Sequence, residues 1–544
     1  MPPAVPPSGF ERNCPTLRHW VRAIPTCLPR LRDYIRSTWR CWVNVVASSA
    51  WLKRNCPTLV GSFLTLDRCF FRLLAYIRLT WWRWVRRTAF ALVCLITFFA
   101  LFVAEENYRG YRTWENYKAE MAASGTPLEV TADFLPAPIP DDQNFVMTPL
   151  LKPLTLLGHQ WEYLQELQKR LPNQAWHLGD FTSSHHADLV ASARDFKTTD
   201  LLDALKKYDP ELDEISAASH RPFARYPANG QYTWDWETPP FSLYRNLARI
   251  YTLRAEAELV TGQTDSALED ALTLIRFADT IKDEPTLVSP IYRVDLYRRQ
   301  ALQVIWEGLA ARQWSDSQLQ VLQSVLQNTD FLPQLRLSLR FERAGLVDLP
   351  AAVKTDILHR DKLYDLSSGL NRFLLTYWLF RGWVYQTIVI DNRYLDEDII
   401  SAIDLDHNRI NVALLQSFAE SYEHRMQQWS PYNYLLFQRR PVATYLQVIS
   451  QVAFSETEVE EAAVACALER YWQAHGEYPE TLNALVPQFL PKFPNDITTG
   501  TPLRYEHTAN GRFALRNAVE ISANSHGGDY DIGQNHWIWQ YPEK

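Results

Sequence analysis

Two stretches of this 544-residue chain carry side chains whose types and spacing could do chemistry. In WHLGDFTSSHHAD, His177, Asp180, His185, His186 and Asp188 combine imidazole with carboxylate, a donor mixture that suits a transition metal. The stretch lacks the paired histidines of helical zinc hydrolases, set four apart with a glutamate between them, so a solvated polar loop is the competing reading. In DNRYLDED, Asp391, Asp396, Glu397 and Asp398 crowd together, and two such carboxyls in different surroundings could act as general acid and base. A solvated turn produces the same crowding. Just upstream, Tyr377, Trp378, Phe380, Trp383 and Tyr385 form an aromatic stripe that could line a ligand groove or pack in a core. No Gly-x-Ser-x-Gly elbow and no Walker loop occurs anywhere in the chain. No catalytic residue is assigned on this basis.

The elements that must position these residues are organised around one apolar run. Ala89 to Ala104 (AFALVCLITFFALFVA) is uncharged, and with Thr88 it spans about 25 Å as a helix, against a hydrocarbon core of about 30 Å. Trp81, Trp82 and Trp84 flank one end, and Tyr108, Tyr111 and Trp114 the other, as interfacial aromatics do. Residues 1–88 carry 15 Arg and Lys against three acids, whereas residues 105–544 carry 40 basic and 59 acidic side chains. The net charge of −7 conceals this split. With Arg83, Arg86 and Arg87 beside the run, the basic arm is expected in the cytoplasm and the acidic bulk outside. Phe102 precedes Val103 and Ala104 where a signal peptide would show a small-x-small cleavage site, so a single-pass, uncleaved signal-anchor is expected. A buried core helix is the alternative, which the adjacent arginines oppose.

Cysteine usage fits that topology. Cys14, Cys27, Cys41, Cys56 and Cys69 fall on the reducing side, Cys94 falls in the run, and Cys466 alone is exported, leaving no partner for a disulfide outside.

The arm, residues 1–88, is a tandem duplication with a period of 42 residues: RNCPTL at Arg12 recurs at Arg54, and 16 of the 32 positions from Arg12 to Val43 are identical in the second copy. Two copies fall short of what a stacked repeat architecture needs. On a helix, Arg68, Arg72, Arg83 and Arg86 share one face among Phe, Leu, Tyr and Trp, the pattern of a helix lying on an anionic lipid surface. An ordinary basic flank is the second reading. Single-stranded nucleic acid, bound by phosphate pairing and base stacking, is the third and least favoured.

Downstream, residues 105–153 predict a helix from Glu105 to Ala123 ending near Gly125, then a Pro-rich linker or strap. Residues 154–454 carry apolar side chains at helical spacing and predict a helical array of ten or more helices. Leu243 to Val260 and Ser266 to Ala278 should pack antiparallel across Gly262, and Ala255, Ala267 and Ala271 give this hairpin a weak resemblance to one tetratricopeptide unit. A further helix is expected from Pro290 to Arg312, and Ser315 with Gln318 forms a capping box that starts another.

Residues 455–544 change character. Ser455 and Glu458 read as a capping box for a helix through His475, closed by Gly476. Tyr478-Pro479, Leu482, Leu485-Val486-Pro487 and Pro494-Asn495-Asp496 follow, then strand-like pieces at Leu503 to Glu506, Arg512 to Arg516 and Trp537 to Trp539. This succession resembles the globular head of type II secretion major pseudopilins. The resemblance implies a small α+β head with a calcium loop, matched here by SANSHGGDYD, whose Asp529 and Asp531 would be the ligands. In pseudopilins the head directly follows the N-terminal span, whereas here about 350 residues intervene, so polymerisation into a pilus is not expected. The order of anchor, strap, helical middle and tail resembles uncharacterised bacterial envelope proteins, which implies an inner-membrane location. The expected fold class is mainly α: a single transmembrane helix, an exported α-helical array and a small C-terminal head. The expected function is an envelope scaffold that binds a protein partner. An envelope hydrolase or glycan-binding enzyme, and an accessory factor of a secretion or pilus-like machinery, are the alternatives.

Overall fold

The computed structural model describes residues 37–38, 41, 44–45, 48–55, 57–125, 128, 139–155, 202–203, 205–225, 238–354, 381–427, 441–508, 512–516 and 538–540. The chain divides into two compact units, Met1–Phe102 and Val103–Lys544.

In the first unit a short helix, Ala50–Asn55, precedes helix α1, Pro57–Ala123, which continues into the second unit. Pro57 opens α1 at its first position, where the missing N–H forfeits no intrahelical bond. From Ala89 to Phe102 the side chains are exposed, Phe98 at 71%, and the helix is long and apolar enough to cross a membrane. The Thr88 and Thr97 hydroxyls donate to the carbonyls of Trp84 (3.0 Å) and Val93 (2.9 Å), so the polar groups of the run are satisfied within the helix. A segment whose surface is apolar and whose polar atoms bond internally is stable in hydrocarbon and costly in water. The arginines assigned to a lipid surface, Arg68, Arg72, Arg83 and Arg86, all lie on α1, and Arg72, Arg83 and Arg86 are exposed.

The second unit is mainly helical. The Pro-rich stretch does more than cross a surface. It coils through 3-10 turns at Asp141–Gln143 and Phe145–Met147, and Phe145 and Val146 are fully buried, with the Phe145 ring edge to face against the stacked rings of Tyr244 and Phe277 (6.4 and 5.7 Å). The Asn144 amide fastens it by donating to the Arg225 carbonyl and accepting from the Arg225 N–H, both at 2.9 Å.

Helix α2, Asp209–Ser219, leads to the expected hairpin, α3 (Phe241–Val260) and α4 (Thr264–Asp279). Gly262 turns the chain with a φ of +76°, and Ala255, Ala267 and Ala271 are fully buried where the helices pack. Arg254 grips Asp270 with two 2.7 Å bonds from one helix to the other. The single helix expected from Pro290 to Arg312 is instead α5 (Val288–Leu296), a π-helical turn at Tyr297–Ala301 and α6 (Leu302–Ala310). The extra residue per turn accompanies two polar anchors: the Tyr297 hydroxyl donates to Asp279 at 2.9 Å, and the Arg298 guanidinium bonds Glu458. The capping box at Ser315 and Gln318 forms as expected and starts α7, Asp316–Gln327.

Then come α8 (Leu332–Lys354), α9 (Arg381–Arg393), a π-helical turn at Tyr394–Ile399, a tight hairpin of β1 (Ile403–Asp404) and β2 (Arg409–Ile410), α10 (Val412–Gln427) and α11 (Pro441–His475). Helix α11 is the hub, packed on α5, α6, α7 and α8. It runs straight through Ser455, which is fully buried inside it and caps nothing, so the helix start expected there is wrong. The apolar stripe of Tyr445, Leu446, Ile449 and Val452 continues into Val459, Ala462 and Cys466, and its burial outweighs a cap of about 1 kcal/mol. Gly476, at a φ of +81°, ends α11 as expected. A three-stranded antiparallel sheet follows, β3 (Arg504–Thr508), β4 (Arg512–Arg516) and β5 (Ile538–Gln540), in that order.

One close approach in this core is directly testable. A Cβ on Gly308 would sit 2.1 Å from the Trp314 ring nitrogen, whose N–H donates to the Ile305 carbonyl at 3.1 Å. Gly308→Ala should therefore destabilise the chain in urea titration: overpacking of about 1–3 kcal/mol exceeds the gain in helix propensity of about 1 kcal/mol.

Candidate functional site

The residues of the second unit that join the chain leaving the apolar run to the helical body form the most elaborate polar and aromatic junction near the predicted acids. Residues 103–123 of α1 pack on α9 glycine against glycine. A Cβ on Gly110 would meet the Gly382 carbonyl oxygen at 2.0 Å, and one on Gly382 would meet the Glu106 carbonyl oxygen at 2.1 Å. With hydrogen in both places, the backbones approach closely enough for direct bonds. The Gly382 N–H donates to Asn107 Oδ1 at 2.8 Å, and the buried Trp383 indole donates to Glu106 Oε2 at 2.8 Å. Arg109 pairs with the same Glu106 at 3.0 Å.

Further along, Tyr385 packs its ring edge to face against Tyr111 (centroids 6.0 Å apart) and stacks on Trp114 (6.3 Å). Trp383 and Tyr385 of the predicted aromatic stripe are thus packing residues, while Tyr377, Trp378 and Phe380 lie outside the described residues. The π-helical turn after α9 rotates Asp396 toward α1 and α8. Its carboxylate accepts from Arg343 Nη1 at 2.6 Å and from the Tyr117 hydroxyl at 3.3 Å. Burial, reinforced by the Asp396 charge, pushes the Tyr117 phenol well above its ordinary range, so it stays a donor. Arg393 pairs with Glu120 (2.7 Å) and Glu397 (3.1 Å) while lying over the Tyr117 ring.

Two of the four acids proposed for general acid–base work therefore have other employment. Asp396 and Glu397 are held in ion pairs with Arg343 and Arg393. Asp391 has its pKa raised to about 7 by desolvation. Sequence reasoning missed the glycines. Gly110 inside a helical stretch, with no turn residue beside it, was the available signal.

A second cluster lies on α11. Glu456 accepts from the Phe331 N–H at 2.9 Å, Glu458 pairs with Arg298, and Glu469 accepts from the Tyr478 hydroxyl at 2.7 Å. Glu461 is buried, and its Oε1 accepts no hydrogen bond among the described residues. Desolvation raises Glu456 and Glu458 to about 7 and Glu460 to about 9, and carries Glu461 well above the carboxylate range. Protons are thus held more tightly in the folded chain than in the unfolded one. The stability they contribute is full below the unfolded carboxylate pKa of about 4.5 and is lost as pH rises toward 9. The melting midpoint should fall from pH 5 to pH 9, and Glu460→Gln should flatten the upper part of that fall. A midpoint that rises over the same range would contradict the raised proton affinity of these buried carboxyls.

Among the described residues no three or more His, Cys, Asp or Glu side chains are grouped so as to hold a metal ion. His177, Asp180, His185, His186 and Asp188, and the calcium candidates Asp529 and Asp531, lie outside the described residues. No family model, no curated protein and no solved structure matches the chain.

Proposed function

We propose that this protein is a single-pass scaffold of the bacterial inner membrane, with the basic arm in the cytoplasm and the helical body outside, where it binds a protein partner. The observation that carries this reading is the junction itself. Residues 103–123, which follow the apolar run, are fastened to the helical body by a glycine contact, two hydrogen bonds and an aromatic stack, which suits a scaffold carried by a membrane segment. Orientation follows from Arg83, Arg86 and Arg87 on one side and the acidic excess on the other. The ion-paired state of Asp396 and Glu397 gives the enzymatic alternative no support. A helix closed by Gly476 and followed by an antiparallel sheet keeps the accessory-factor reading as the second choice.

A reporter that matures only outside the cytoplasm, fused after Lys118, should be active, and crosslinking from the exported part in intact cells should capture a protein partner. Activity of the reporter only in the cytoplasm would overturn the topology.

A further inference from the structure

We infer that the helical body rests on the bilayer itself, through the end where Val103, Glu106 and the N-terminus of α9 meet, so that lipid headgroups are its partner at that end. The inference depends on the membrane reading above and adds a second contact to it.

Three observations support this inference. Val103 is the penultimate residue of the uncharged run, yet it belongs to the second unit and is only 9% exposed there, so the body begins before the run has ended. From Ala104, the last residue of the run, the helix rises only about 3 Å to Glu106 and about 9 Å to Gly110 at 1.5 Å per residue. Glu106 and Gly110 are the residues that α9 touches with Trp383 and Gly382. The headgroup layer on each side of a bilayer is itself roughly 5–8 Å deep, so the start of α9 falls at headgroup level even if the helix tilts.

The direction of α9 also matters. Its contacts advance in step with α1, from Glu106 with Trp383, through Trp114 with Tyr385, to Glu120 with Arg393. Residues 106–120 and α9 therefore run parallel, and the N-terminal end of α9 lies beside Glu106 and Asn107. Finally, the chemistry at this level suits headgroups. Arg109, Arg112 and Arg381 are exposed, as are Tyr108 (61%) and Tyr111, the basic and aromatic mixture that partitions to the interface of an anionic membrane.

Photocrosslinking from the full-length chain in vesicles of phosphatidylethanolamine and phosphatidylglycerol tests this, with benzoylphenylalanine replacing one residue at a time. Phe98 reports the span, Arg381 reports the proposed contact, and Val321, exposed on α7, reports an ordinary body surface. Arg381 is exposed, so its replacement leaves the core intact, and an unchanged melting midpoint verifies that. Lipid adducts are expected at Phe98 and Arg381 and not at Val321. Adducts at Phe98 with none at Arg381, or an Arg381 adduct to protein alone, would overturn the resting contact and leave the anchor standing. No adduct at Phe98 would overturn both.

Discussion

Arg343→Ala should cost the protein about 3 kcal/mol of stability, the lower end of the 3–5 kcal/mol seen when one partner of a buried ion pair is removed. The Arg343 side chain is 3% exposed and its Nη1 lies 2.6 Å from Asp396 Oδ1. Without it, the Asp396 carboxylate in its partly dry site has, among the described residues, only the Tyr117 hydroxyl left beside bulk water. Asp396 retains some solvent access, which sets the expected loss at the low end of the range. The cost is a desolvation cost and should vanish when both charges go. The double substitution Arg343→Met with Asp396→Leu should recover most of the loss, since apolar replacements of buried pairs are often neutral or stabilising. Denaturant titration of the two variants decides it. A single-variant loss under about 1 kcal/mol would reduce the pair to the level of a surface bridge.

What sequence could foresee here was local. The hairpin of α3 and α4, the capping box at Ser315, the stop at Gly476 and the strand pieces of the terminal sheet each depend on residues within a few positions of one another, and each formed where expected. The apolar run was legible because hydrocarbon selects on composition alone. Ser455 misled because Ser-x-x-Glu is a pattern of two residues, and an acid-rich helix such as α11 contains it without starting there. The π-helical turns at Tyr297 and Tyr394 were invisible, since tertiary partners such as Asp279 and Arg343 favour them and no local propensity does.

The junction was illegible for a different reason. Asn107 and Gly382 are 275 positions apart, and no periodicity links them. Only the price of glycine in a helix, about 1 kcal/mol relative to alanine, hinted that Gly110 meets something that a side chain would obstruct. Of the two fates open to the aromatic stripe, Trp383 and Tyr385 show packing: they face a helix of the same chain.

That reading makes Gly110 the most exacting position in the junction. Gly110→Leu should separate residues 103–123 from α9, because its Cβ alone would lie 2.0 Å from the Gly382 carbonyl oxygen, and a backbone atom cannot turn aside as a side chain can. Separation forfeits the Asn107 and Glu106 bonds to Gly382 and Trp383 together with the Tyr385 stack, so the loss should reach or pass the usual overpacking cost of about 1–3 kcal/mol. Gly110→Ala should also lose stability despite alanine's better helix propensity, a sign that packing outweighs backbone entropy at this site. Ala119→Leu, exposed on the same helix, should stay within about 0.5 kcal/mol of the parent. Limited proteolysis should cut α1 beyond Glu105 faster in Gly110→Leu and at the parental rate in Ala119→Leu. If Gly110→Leu melts and resists protease like the parent, the helices do not meet at this glycine, and the junction on which the proposed scaffold rests falls with that contact.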